Sequence, residues 1–177
     1  MRTFAQTTTS AGCRRLLLSS AALLLCSAAL AASFPKADEL VAAFKKSAGA
    51  VEEVTKGKVQ YFIVRDAGSN VVKLAYLKEA KGYKNGKIGL FAIISKKDNA
   101  LVFDSIQIVE ESGAYKEVTK GREEPFMKQF AGKPADKKTR ELKLDSMTSA
   151  TMTSRSITSA IDQEQPNVVE AFGPAKK

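Results

Sequence analysis

Histidine and tryptophan are absent from the 177-residue chain, and cysteine occurs only twice. Without histidine the chain cannot be a Ser-His-Asp hydrolase, use a Cys-His nucleophile or ligate zinc or haem through imidazole. Both cysteines, Cys13 and Cys26, lie close to the N-terminus, ahead of a segment with ordinary globular composition. If the protein carries out redox or transfer chemistry, we expect the reactive atoms to belong to a bound cofactor. No metal site is predicted.

Residues 1–31 have the pattern of a secretory signal peptide. Three arginines and no acidic residue precede or flank the apolar run Leu16–Leu25, and small residues follow it. Cleavage after Ala31 leaves a mature chain with no cysteine, no stable membrane anchor and a formal net charge of +6 instead of +9. Leucine precedes Cys26 where a lipoprotein signal has a small residue, which disfavours a lipid anchor. We expect a periplasmic or secreted protein. Its lysines are scattered among carboxylates, so no nucleic-acid partner is predicted.

The pattern of the mature chain predicts an α+β fold, one antiparallel sheet with helices packed on it. Four runs rich in β-branched and aromatic residues, separated by turn clusters, predict strands at Val59–Val64, Val71–Leu77, Lys87–Ser95 and Leu101–Val109. A further short strand is expected at Leu142–Asp145. Helices are predicted over residues 36–55, in a short segment opened by Pro125, and around Thr153–Gln163 with Pro166 beyond its end.

The predicted helices and strands divide the mature chain into three parts. Residues 32–80 would form the N-terminal helix and the first strands, residues 81–165 would form the core of the domain, and residues 166–177 would be a loose tail.

The hydroxyl-rich run Asp145–Ser154 is the most unusual segment, placed between a predicted strand and a predicted helix. A helix N-terminus offers unpaired N–H groups and a partial positive charge, which suit a phosphate, and hydroxyl groups add further donors. The small side chain of Ala150 would let the backbone approach a ligand. Serine and threonine also cap helices with no ligand present. A phosphate site and a simple capped turn are both open readings of the residues alone.

Four short motifs along this chain together carry a resemblance to a known family. An attachment motif of Asp, two variable residues, Ser or Thr, usually Gly, then Ala and an acceptor Thr or Ser is matched by Asp145, Thr148, Ala150 and Thr151. Three upstream segments are similar to the family's strand entry, flavin-side loop and Phe-rich segment, namely Gly82–Ile88, Glu111–Tyr115 and Phe126–Lys133. On these motifs the chain resembles the FMN-binding domain family of covalently flavinylated extracytoplasmic electron-transfer proteins. That family includes the flavin-bearing subunits of Rnf and Na+-translocating quinone reductase complexes.

The resemblance implies that a flavin transferase joins the phosphate of FMN covalently to the Thr151 hydroxyl as a phosphodiester, which keeps the flavin from diffusing away. Asp145 would position the acceptor or the metal of the transferase. The small side chain of Ala150 would let the backbone approach the phosphate closely. Four further residues would donate hydrogen bonds to the phosphate or shape the turn around it: Thr148, Ser149, Thr153 and Ser154.

The resemblance also assigns residues around the flavin ring. Tyr83 or Tyr115 would pack on the ring face, since aromatic stacking suits a flavin. Glu111 would accept hydrogen bonds from the backbone or the ribityl hydroxyls, and Ser112 and Gly113 would belong to the same flavin-side loop.

The implied function is an electron relay between a redox protein or quinone system and a second partner, without substrate turnover by the chain alone. An alternative is a cofactor-free secreted binding module that keeps the fold. Ser149 stands where the family usually has Gly, and Ala114 and Lys116 stand where glycines are common, which favours that alternative. A third reading is an FMN reductase with its own substrate, although no acid–base residue stands out.

Overall fold

The computed structural model describes residues 35–81, 86–111, 121–147 and 151–173, and a five-stranded antiparallel sheet forms its centre. The strands lie side by side in chain order: β1 (Glu52–Lys56), β2 (Val59–Arg65), β3 (Val71–Lys81), β4 (Lys87–Lys97) and β5 (Ala100–Glu111). The helices are α1 (Pro35–Ala48), α2 (Glu123–Lys128) and α3 (Thr151–Phe172), with a 3₁₀ turn at Thr139–Glu141. The predicted α+β class is confirmed.

Two of the hairpin turns, after β2 and after β4, are built by Asp and Asn residues. After β2, the Asp66 carboxylate accepts the backbone N–H groups of Gly68 at 2.9 Å and Asn70 at 2.8 Å. Between β4 and β5, Asp98 and Asn99 both adopt positive φ, 49° and 65°. Two consecutive residues with positive φ suit a tight turn whose twist matches that of paired strands. Local turn chemistry therefore sets the order of these strands.

Both faces of the sheet are buried, but by different helices. On one face β2 to β5 pack against α2 and α3 in a core that includes Leu74, Leu90, Phe103, Phe130 and Ile157. On the other face α1 covers a smaller cluster that includes Phe62, Phe91 and Val109. Phe44 from α1 lies between two of these rings, with centroid distances of 6.4 Å to Phe62 and 6.3 Å to Phe91. The helix that carries the hydroxyl-rich run belongs to the larger core.

The helix predicted over residues 36–55 is shorter than expected. It ends at Ala48, and Gly49 follows with φ 79° and donates its N–H to the Lys45 carbonyl at 3.1 Å. Glycine adopts this left-handed conformation without strain, so it stops the helix here. The next residues form β1, an edge strand of the sheet that the sequence reading missed. The side chains of β1 are all exposed and mostly charged, as is common at a sheet edge.

The last helix is longer than predicted, because it continues through Pro166 to Phe172. A proline at this position cannot donate a hydrogen bond to the Asp162 carbonyl. The Lys138 amine donates to that carbonyl at 2.8 Å and replaces the missing N–H. Val168 and Phe172 are buried beyond the proline. The prediction of a loose tail from residue 166 is therefore wrong as far as Phe172.

The short strand predicted at Leu142–Asp145 does not form. Leu142 ends the 3₁₀ turn, and residues 143–147 are irregular. The segment that instead runs along β5 lies earlier, where the Ala135 N–H donates to the Leu101 carbonyl at 2.8 Å. The Gly132 N–H likewise donates to the Phe103 carbonyl at 2.8 Å. This segment covers the β5 edge that a further strand would otherwise occupy.

Candidate functional site

Thr151 is the first residue of α3, and its side chain is exposed. The first N–H groups of a helix have no partner within the helix, and the peptide dipoles add a partial positive charge at this end. The helix that begins at Thr151, the predicted acceptor, is 22 residues long. The Thr151 hydroxyl therefore lies at the end of α3 that carries the partial positive charge, which favours an anion.

The segment that leads to Thr151 is held against the end of α2. The Gln129 side chain donates to the Asp145 carbonyl at 3.3 Å and accepts the Asp145 N–H at 2.7 Å. One amide side chain thus binds both backbone groups of the first residue of the motif. The Asp145 side chain itself is exposed. Asp145 is anchored through its backbone, which leaves its carboxylate directed to solvent.

Thr153 and Ser154 lie on the buried side of the first turn of α3. Ser154 Oγ accepts the backbone N–H of Met147 at 3.0 Å, and the Met147 side chain is buried in the larger core. This contact joins the first turn of the helix to the chain just before residues 148–150. Ser154 therefore positions the segment, while contacts of Thr153 and Ser154 with a phosphate stay a prediction.

Arg155 lies on the same side of α3 as Thr151, four residues further along, and its side chain is exposed. Side chains four residues apart on a helix are neighbours, and each points toward the helix N-terminus. The Arg155 guanidinium can therefore extend toward a group attached to Thr151. The sequence reading missed this residue, although the i, i+4 spacing from the predicted acceptor was a usable signal.

A cleft of about 620 Å³ adjoins the same helix. Its walls are formed by α3, by the end of β3 and the start of β4, and by the β1–β2 turn. The charged residues that line it are Lys58, Glu79, Lys81, Lys87 and Arg155. Glu79 is bound to Lys87 at 3.1 Å. Four cations and one carboxylate give the cleft a surplus of positive charge, which favours anions.

Two of the four tyrosines lie in the core beneath α3 and belong to a polar cluster that the sequence reading missed. The Tyr61 hydroxyl donates to one oxygen of the Glu164 carboxylate, and the Lys78 amine donates to the other at 2.6 Å. The amide of Asn167 also donates to Glu164, at 3.1 Å. Glu164 is only 4% exposed. The cluster joins α3 to β2 and β3.

The charge states in this cluster follow from burial and hydrogen bonding. Burial acts to raise the pKa of Glu164, but the hydrogen bonds donated by Lys78, Tyr61 and Asn167 outweigh it and hold that pKa below its usual range. Burial, reinforced by the neighbouring carboxylate, raises the pKa of Tyr61 well above its ordinary value. Burial likewise raises the pKa of Tyr76. At neutral pH both phenols are protonated and Glu164 is ionised, so Lys78 and Glu164 form an ion pair to which Tyr61 and Asn167 also donate hydrogen bonds.

Several predicted site residues lie outside the residues that the structure describes: Tyr83, Ser112, Gly113, Tyr115, Thr148, Ser149 and Ala150. Glu111 is the last residue of β5, where its backbone pairs with Ile88. The side chain of Glu111 is not among the parts of the chain that the structure describes. Of the predicted set, the structure describes Asp145, Thr151, Thr153 and Ser154, and the Met147–Ser154 hydrogen bond joins the segment that contains Asp145 to the first turn of α3.

Within the described ranges, no three acidic or cysteine side chains are grouped so that they could hold a metal ion. No helix in those ranges is long and apolar enough to cross a membrane. The chain matches no protein-family model, no curated protein and no solved structure. The candidate site is therefore defined by its own residues alone.

Proposed function

We propose that the chain is an exported flavoprotein that carries FMN on Thr151 through a phosphoester and relays electrons between redox partners. The observation that carries this proposal is the position of Thr151. It is an exposed alcohol at the first residue of a long helix, in register with the motif Asp145–Thr151 that resembles a flavin attachment site. No other described threonine begins an α-helix.

The surroundings of Thr151 fit a phosphodiester. Helix N-termini are common phosphate-binding positions, and the dipole of α3 would favour the negative charge of the ester. Arg155 can add a charge-assisted hydrogen bond from the next turn. Gln129 binds the backbone of Asp145, and Ser154 binds the backbone of Met147, so the chain ahead of Thr151 is held at two residues. These contacts support an attachment point that is accessible to a transferase and held by a rigid neighbourhood.

Attachment would require an activated donor and a separate transferase. Thr151 Oγ1 forms the new P–O bond and loses its proton, while the phosphoanhydride bond of a flavin dinucleotide breaks and a nucleoside monophosphate leaves. The product carries the mass of one FMN less one water. Bound FMN would supply the electron-transfer chemistry, and the chain would hold it and set the charge around it. The redox partners would be a protein or a quinone system.

The full-length chain should be produced in a host that contains a flavin transferase, and the intact mass of the purified protein should be measured together with in-gel fluorescence after denaturing electrophoresis. We expect cleavage after Ala31, the added mass of one FMN less one water, and fluorescence that survives denaturation. Thr151→Ala should abolish both signals, because the acceptor oxygen is removed. Thr151→Ser should retain them, because it keeps the hydroxyl.

The control is Thr158→Ala, two helical turns further along the same helix face, which should leave labelling intact. Since Thr151 is exposed, its replacement by Ala should change the free energy of unfolding by less than about 0.5 kcal/mol. A wild-type protein of unmodified mass and no colour, from a host that flavinylates a known acceptor protein, would contradict the proposal and favour a cofactor-free binding module. Labelling of Thr151→Ala at another residue would contradict the assignment of the acceptor.

A further inference from the structure

The cleft beside α3 brings together cationic side chains from four different parts of the chain. Lys58 lies in the β1–β2 turn, Lys81 ends β3, Lys87 begins β4, and Arg155 lies on α3. Lys87 is paired with a carboxylate, whereas Lys58, Lys81 and Arg155 form no ion pair with any other described residue. Bringing like charges together in one concave surface costs free energy unless an anion offsets it.

The same cleft has an apolar part. Ala80 and Ala160 are buried where β3 meets α3, and both line the cleft. Met152 lines it too and is 56% exposed, more than any other large hydrophobic side chain of the described residues. A flexible thioether in such a position suits an apolar ring or chain of variable shape. The cleft therefore offers apolar contact and positive charge together.

From this combination we infer that the cleft is a reversible binding site for a small organic anion, with a phosphate or carboxylate head and an apolar body. Its volume of about 620 Å³ lies inside the range typical of small-molecule sites, roughly 300–1,000 Å³. A concave surface with an apolar floor fits a small molecule better than it fits a flat acidic protein surface. The head group would be held by Arg155 and Lys81, and the body would contact Met152.

This inference goes beyond the proposed function and does not depend on it. The cleft is lined by residues of the unmodified chain, so binding is expected in the chain that carries no flavin. An anion bound there would lie within one or two helical turns of the attachment residue. Failure of flavin attachment and failure of anion binding are therefore separate results, obtained on separate samples.

The test uses the mature chain produced without a flavin transferase and three probes that share one ring system: 1-naphthyl phosphate, naphthalene-1-carboxylate and 1-naphthol. Binding is followed by changes in amide chemical shifts on a ¹⁵N-labelled protein. We expect saturable binding of at least one of the two anions, with shifts centred on Met152, Arg155 and Lys81. We expect at least tenfold weaker binding of the neutral naphthol, because only the head group differs. The two anions together show which head group the cleft prefers.

Arg155→Gln and Lys81→Gln should each weaken binding of the preferred anion about tenfold, as expected for loss of a charge-assisted hydrogen bond. The matched control is Lys46→Gln, an exposed lysine of α1 on the other face of the sheet, which should leave the affinity unchanged. The inference would be overturned by equal affinity for naphthol, by shifts scattered over surface lysines, or by an equal effect of the control. Binding of poly-glutamate with no saturable binding of either naphthyl anion would also overturn it and favour an acidic protein partner.

Discussion

The two halves of α3 differ in what their side chains do. In the C-terminal half, Glu164, Val168 and Phe172 are buried, and Glu164 binds side chains from two strands. In the N-terminal half, Thr151 and Met152 are exposed at the helix start. Thr151, the predicted acceptor, and Met152 are thus accessible at the start of a half that also buries Ile157, Ala160 and Ile161 in the core.

The contrast shows how one element can be both fixed and accessible. Because the Glu164 cluster and the residues beyond Pro166 hold the C-terminal half, the first turn does not have to bury all of its side chains. That turn is joined to the preceding chain by the hydrogen bond from Met147 to Ser154 and buries Thr153, while Thr151 and Met152 stay exposed. Substitutions of the exposed residues of the first turn should therefore affect flavin attachment and anion binding more than stability, whereas substitutions in the C-terminal half should mainly affect stability.

The largest effect is expected from Glu164→Ala. Removing the carboxylate leaves the Lys78 amine buried without its ion-pair partner, which typically costs about 3–5 kcal/mol. Urea denaturation of the mature chain measures the loss. Glu170→Ala is the matched control, since that carboxylate forms an exposed pair with Lys56 and should cost less than about 1 kcal/mol. Equal losses for the two variants would show that the buried cluster does not anchor the helix.

A smaller effect is expected from Ser154→Ala in the other half. The buried N–H of Met147 would lose its acceptor, at a cost of about 1–3 kcal/mol. Flavin attachment to Thr151 should also slow, because the chain before the acceptor is no longer fixed to the helix. Ser159→Ala, at an exposed position of the same helix, should change neither stability nor attachment. A stable Ser154→Ala protein with the wild-type attachment rate would remove Ser154 from the description of the site.

The smallest effect is a dependence of stability on pH that originates in the C-terminal half. The pKa of Glu164 is lowered in the folded protein, so its contribution is fully present above the ordinary glutamate pKa of about 4.3. That contribution is lost as the pH falls through the folded pKa. Between about pH 5 and pH 3, the free energy of unfolding should fall more steeply for the wild type than for Glu164→Gln. Identical slopes for the two proteins would contradict the charge state assigned to Glu164.

The strands that the sequence could predict have local signals. In β2 to β5, β-branched and aromatic residues lie between turn residues such as Asp66 and Asn99, whose own chemistry forms the turns. In β1 the side chains are exposed and mostly charged, so no apolar alternation marks it. Its strand structure depends on pairing with β2. A proline normally ends a helix, and α3 passes it because Lys138, a residue from a different segment, supplies the missing donor.

In the candidate site too, some residues could be predicted from local sequence and others could not. The position of Thr151 at the start of a helix follows from the hydroxyl-rich run and the apolar spacing after it. The lysines of the cleft could not be grouped from the sequence, because Lys58, Lys81 and Lys87 come together only when three strands pair. Arg155 lay within reach of sequence reasoning, since it follows the acceptor by one helical turn.

The position of α3 after all five strands has a consequence for biosynthesis. A chain emerging from the ribosome can form its hairpins early, since neighbouring strands are joined by short turns. One face of that sheet stays open until the residues around Ile157 and Phe172 have been made, because they supply part of its cover. Until then the nascent chain exposes Leu74, Leu90 and Phe103. Such a chain stays accessible to chaperones until α3 has been synthesised.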